Sequence, residues 1–168
     1  MKIEAKGDKL VVVDFDEFDA LRIACKIEKD GMEFYGQLAS SVEKRDVKAT
    51  LAFLLGEEKK HLTFFEESLQ RLRDKKEDKG EEDDLLTAMD YGMFSSYPNA
   101  SELENILNDM QKAMRLGIAI ENKSIQFYEA CRDKVSDSVT KEEIAHIIAE
   151  ERKHKALFEK LLADTNIA

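Results

Sequence analysis

From Asp16 onward the chain alternates apolar and charged positions with a helical period. Phe18, Leu21, Ile23, Ile27, Phe34, Tyr35 and Leu38 recur mostly three or four residues apart, with charges between them. That spacing draws an apolar stripe along one face of a helix. The pattern predicts a first helix ending near Ser41 and a second over about Asp46–Leu72, with Leu51, Leu54, Leu55, Leu62, Phe65 and Leu69 turned inward. Two more are expected over about Asp109–Lys134 and Thr140–Ala163. Residues 1–13 read differently. IEA, KGDK and LVVV suggest a short β-hairpin or extended arm, which would pack on the body or on another subunit because a lone hairpin is marginal in water. Between the second and third helices, RDKKEDKGEEDD (73–84) reads as a solvated link of mixed charge. GMFSSYPNASE (92–102) carries turn signals and a cap, Ser101, ahead of a short helical turn. The expected organisation is therefore an arm over 1–13 and a helical bundle over 14–168, with a crossover link at about 73–108.

Sliding the chain along itself by 93 positions exposes a repeat. Asp16 meets Asp109, Ile27-Glu28 meets Ile120-Glu121, Phe34-Tyr35 meets Phe127-Tyr128, and Glu57-Glu58 meets Glu150-Glu151. Lys60-His61 likewise meets Lys153-His154, and 17 of the 54 positions from Asp16 to Leu69 are identical without a gap. Identity at that level marks an internal duplication of a helical hairpin, and two such hairpins make an all-α four-helix bundle.

Composition narrows the function. The formal net charge of −10 argues against a nucleic-acid or anionic-membrane binder, which needs a basic face. The opening MKIEAKGDKL lacks the apolar core of a signal peptide, and no apolar run approaches the roughly 20 residues of a membrane span, so a cytoplasmic location is expected. Cys25 and Cys131 are the only cysteines and no Cys-x-x-Cys occurs. This excludes cysteine-rich zinc and iron–sulfur sites, and both thiols read as small core residues.

What the repeat preserves is chemistry. Each half carries a Glu-x-x-His, Glu58/His61 and Glu151/His154, and a glutamate thirty positions earlier, Glu28 and Glu121. Residues three apart share a helix face and can grip one ion together. In an antiparallel hairpin, two residues lie level when the turn falls halfway between them. The midpoint of 28 and 58 is Glu43, and that of 121 and 151 is Ser136, each where a turn is expected. Glu28, Glu58, His61, Glu121, Glu151 and His154 should therefore converge in the bundle core as a di-iron or di-manganese carboxylate site. One Glu-x-x-His alone is ordinarily a surface pair. The duplicated set is different, because four buried carboxylates without a metal would cost several kcal/mol for each uncompensated charge, on the order expected for buried ions. Tyr35 and Tyr128 lie seven residues beyond Glu28 and Glu121, two turns along nearly the same face, where each would hydrogen-bond a ligand carboxylate, relay an electron, or simply fill the core. His146 falls off the ligand face and reads as structural or exposed.

These residues resemble the ferritin-like superfamily and most closely the di-iron domain of the rubrerythrin family, over about Asp16–Ala163. The resemblance implies a ferritin-like bundle with a non-haem centre of two iron ions per chain that reduces hydrogen peroxide or dioxygen. By motif position it implies Glu58 and Glu151 as bridging carboxylates, Glu28 and Glu121 as terminal ones, and His61 and His154 as nitrogen ligands. The family's full-length members carry a Cys-x-x-Cys rubredoxin module. This sequence has none, which implies no rubredoxin-type iron and a separate electron-donor protein. Rubrerythrin peroxidases carry an extra glutamate where this chain has Ser124, leaving a symmetric six-ligand site like that of bacterioferritin. The haem methionine of bacterioferritin is replaced by Lys59, so no haem is expected. The donors alone do not choose iron over manganese or zinc. A homodimer or small homo-oligomer is expected. The rival readings are a ferroxidase that handles iron within a larger cage, a manganese catalase, and a metal-free helical interaction module.

Overall fold

The computed structural model describes residues 2–6, 9–78 and 100–165. Two strands, β1 (Lys2–Lys6) and β2 (Lys9–Asp14), pair antiparallel, with Ile3 opposite Val12 and Ala5 opposite Leu10. Residues 7 and 8, between the strands, lie outside the described residues. Among the described residues five helices follow: α1 (Glu17–Ser41), α2 (Arg45–Arg73), α3 (Ala100–Leu107), α4 (Met110–Lys134) and α5 (Ser138–Thr165). The pairs α1–α2 and α4–α5 form the two hairpins of a ferritin-like bundle, and contacts of α1 with α4 and of α2 with α5 join them. No helix among the described residues is long and apolar enough to cross a membrane.

The duplication preserves the punctuation as well as the faces. Asp16 caps α1, accepting from the Asp19 amide at 2.9 Å, while Asp19 accepts in return from the Asp16 amide at 3.2 Å. Its repeat partner Asp109 caps α4 by accepting from the Lys112 amide at 3.1 Å. Each such cap satisfies an amide the helix cannot, typically worth about 1 kcal/mol. At the other ends Val42 and Val135, also repeat partners, turn the backbone to an extended conformation and bury their side chains. The expected turns around Glu43 and Ser136 therefore stand where the level-pairing argument needs them.

Two details differ from expectation. Ser101 lies inside α3 rather than capping it, because the helix already begins at Ala100. The link after α2 does not leave freely into solvent. Asp78 is tied to the buried Arg22 guanidinium and lies 3.3 Å from Arg73 Nε. Residues 79–99, which hold the rest of the charged run and most of the turn signals, lie outside the described residues.

The core falls into two apolar layers. One gathers Leu21, Ile23 and Ile27 of α1, Phe65 and Leu69 of α2, Phe127 of α4 and Ile144 of α5; the other gathers Phe34, Leu38, Leu51, Leu54, Met114 and Phe158. The inward positions follow the sequence pattern, except that Leu55 and Leu62 are only partly buried at the edges of these layers. In every long helix, the Glu or His positions of the repeat fall between the segments that supply the two layers. The polar residues are thus held as a belt across the middle of the bundle, walled by hydrocarbon above and below.

Candidate metal centre

Glu28, Glu58, His61, Glu121, Glu151 and His154 are all buried, none more than 3% exposed. The structure brings all six together. They form two overlapping groups, Glu28/Glu58/His61/Glu151 and Glu58/Glu121/Glu151/His154, and in each group the potential ligand atoms lie within 4.8 Å of one another. Glu58 and Glu151 belong to both. Each spans the two histidines with its two oxygens. Glu58 Oε2 lies 3.4 Å from His61 Nδ1 and its Oε1 lies 3.2 Å from His154 Nδ1. Glu151 places Oε1 at 3.1 Å from His61 Nδ1 and Oε2 at 3.1 Å from His154 Nδ1. Glu28 reaches only the His61 side, at 3.8 Å. The two imidazoles face each other, centroids 5.7 Å apart and 23° from parallel.

The tyrosines complete the belt in a way the repeat alone does not predict. Tyr35 of the first hairpin donates to Glu121 of the second, and Tyr128 of the second donates to Glu28 of the first. Each phenol crosses to the opposite half. Each ring also packs at a tilt against a phenylalanine of the opposite hairpin, Phe158 on Tyr35 at 5.4 Å and Phe65 on Tyr128 at 5.1 Å. Burial, then the adjacent glutamates, push both phenols well above their ordinary range. They therefore stay protonated and serve as fixed donors.

Without a cation this belt must hold protons. Burial, then repulsion from Glu58, raises Glu28 well above the ordinary carboxylate range, and burial followed by Glu151 does the same to Glu121. For Glu58 burial also pushes upward, but the neighbouring Glu28, His154 and His61 outweigh it and hold the group below that range. Burial would lower the two imidazoles, yet Glu151 and Glu58 override it and raise His61 to about 10 and His154 to about 9.

Two atoms remain unsatisfied even so. His61 Nδ1 and Glu151 Oε1 are buried, 3.1 Å apart, and neither takes part in a hydrogen bond. A buried polar atom left so is costly. About 3 Å is also the separation of two donor atoms bound to one ion at roughly 2.1 Å and near a right angle. Two nitrogens and eight carboxylate oxygens around shared bridging groups suit a pair of divalent cations. The residues present fit a di-iron centre.

A family model for rubrerythrin matches residues 19–162. The chain belongs to the rubrerythrin family. Searches of curated proteins and of solved structures return no significant match. The rubrerythrin match spans both hairpins and all six residues of the belt.

Elsewhere in this rubrerythrin-family chain, Ser124 is buried and its hydroxyl donates back to the Ile120 carbonyl at 3.2 Å. Cys25 and Cys131 are buried free thiols of the core, pushed by burial up to about 11 and about 12. His146 is exposed and lies 3.9 Å from Glu143, away from the belt. Sequence reasoning assigned no role to Glu150, yet its Oε2 lies 2.9 Å from His61 Nε2. The available signal was its position, one residue before a buried belt glutamate in both copies of the repeat.

Proposed function

We propose that this protein is a non-haem di-iron oxidoreductase that reduces hydrogen peroxide or dioxygen in the cytoplasm, with electrons from a separate donor protein. The observation that carries the reading is the sharing of Glu58 and Glu151 between the two halves of the buried belt. A carboxylate with one oxygen toward each histidine is placed to bridge two ions roughly 3.5–4 Å apart. In this reading Glu58 and Glu151 would be shared between the two ions, Glu28 and Glu121 would each serve one, and His61 and His154 would offer Nδ1. Two bound Fe(II) ions would supply the two electrons that cleavage of a peroxide O–O bond consumes, and two protons complete its conversion to water.

The side chains contribute order and exclusion. Tyr128 and Tyr35 hold Glu28 and Glu121 in place across the hairpin interface, so each terminal carboxylate has one oxygen spoken for. The apolar layers keep bulk water from the belt, which strengthens every charge interaction within it. Protons on Glu28, Glu121, His61 and His154 balance the belt until cations replace them.

A second reading, iron oxidation for storage, is supported by Ser124. Its short hydroxyl points back to its own helix and brings no fifth carboxylate to the centre. The deciding experiment is anaerobic loading with Fe(II), followed by rapid mixing with hydrogen peroxide or with dioxygen. Two irons per chain and faster oxidation by peroxide support the first reading. Faster oxidation by dioxygen, uptake beyond two irons and elution as a large cage support the second. No stoichiometric iron uptake overturns both.

A further inference from the structure

The two halves of the centre are built from the same residues but are not dressed alike. His61 presents Nδ1 to the carboxylates and has its other ring nitrogen, Nε2, 2.9 Å from Glu150 Oε2. By the repeat, His154 should have Glu57 in the same place. Glu57 instead accepts from Lys60, three residues on along its own helix. Among the described residues no side chain hydrogen-bonds His154 Nε2. Phe53 meets the His154 ring edge-on at 6.5 Å and is itself 53% exposed. The repeat partner of Phe53 is His146, which pairs with Glu143 at the surface. One imidazole is therefore held by a carboxylate, and the other meets the edge of a half-exposed aromatic ring.

A carboxylate behind a ligating histidine fixes the tautomer, aims the ring and makes the metal-facing nitrogen a stronger donor. Losing such a partner typically costs about 10–100-fold in metal affinity. We infer that the centre loads in order. The position of Glu28, Glu58, Glu151 and His61 takes the first ion, and the position of Glu58, Glu121, Glu151 and His154 takes the second about 10–100-fold more weakly, with Glu150 as the positioning residue that sets the difference. The inference rests on the di-metal reading above. Its consequence is a centre with one retained and one exchangeable ion, so the availability of the second ion governs how much of the protein holds a complete pair.

Anaerobic titration of the metal-free protein with Fe(II), followed by calorimetry and equilibrium dialysis, tests it without any turnover. The wild-type chain should bind two ions in two resolved steps. Glu150→Ala should weaken the first step by about 10–100-fold and merge it with the second. Glu150→Gln keeps an acceptor without the charge and should recover part of the loss, which a merely structural role for Glu150 would not require. Glu57→Ala should leave both steps unchanged. Two equal steps in the wild-type chain, an unaltered first step in Glu150→Ala, or a weakened second step in Glu57→Ala each overturns the ordering while leaving the di-metal reading intact. A wild-type chain that binds no stoichiometric ion overturns the di-metal reading itself, and the ordering with it.

Discussion

Gly117 sits in the middle of α4, where alanine would ordinarily be the better helix former by about 1 kcal/mol. The prediction is that Gly117→Ala destabilises the protein all the same. A Cβ built there would lie 2.7–2.8 Å from three ring carbons of Phe158, well inside van der Waals contact. The ring cannot retreat cheaply. Phe158 is fully buried and packs on Tyr35 at 5.4 Å, and Tyr35 in turn donates to Glu121. Overpacking of a filled core costs about 1–3 kcal/mol. With contacts this short the upper part of that range applies, and after the helix gain a net loss of about 1–2 kcal/mol remains. For a chain of this size that is a fall of roughly 2–8 °C in Tm. Gly36→Ala and Gly56→Ala serve as controls, since an added Cβ meets nothing within 4 Å at either position, and each should gain up to about 1 kcal/mol. Urea denaturation of the three variants and of Gly117→Ala/Phe158→Leu, which restores room, measures the set. A Gly117→Ala protein as stable as the wild type, or a double variant no better than the single one, would refute the argument.

The metal-free protein should lose stability as pH rises. His61 and His154, raised to about 10 and about 9, keep protons that the unfolded chain releases near 6.5. The folded state therefore binds more protons in that window, and the stabilisation is complete below 6.5 and gone once pH passes 9–10. Glu28 and Glu121, also raised, act in the same direction from lower pH; urea midpoints at pH 6, 8 and 10 that do not fall would contradict this. Glu121→Ala, which touches only the weaker position, should retain one ion per chain after dialysis, whereas Glu58→Ala, which removes an atom source common to both groups, should retain neither. Elemental analysis separates them, and two ions in Glu58→Ala would rule out a shared ligand. Tyr128→Phe strips Glu28 of its buried donor and should cost about 1–3 kcal/mol in the metal-free protein, with much of the loss recovered on loading; a melting curve unchanged without metal would show that the hydrogen bond contributes nothing.

The sequence by itself determined the helices of both hairpins and the level at which their chemistry meets. Helical period and the 93-residue repeat are local properties, and the midpoint rule needs only the fact that an antiparallel hairpin folds at its turn. That was enough to converge Glu28 with Glu58/His61 and Glu121 with Glu151/His154. The relation between the two hairpins was a different matter. Tyr35 and Tyr128 lie on the same helices as Glu28 and Glu121, yet each donates to the glutamate of the other half, because that choice depends on how α1 and α4 face each other and not on spacing along either. Gly117 was equally silent, since its repeat partner is Ala24 and only the packed Phe158 ring makes a methyl group too large. Glu57/Lys60 and Glu150/Lys153 are identical pairs in the text, and one closes on itself while the other lends its carboxylate to His61. Residue type and period fix what a side chain can do. Which of several permitted partners it takes is decided by packing between elements far apart in the chain, and that information exists only once the hairpins have docked.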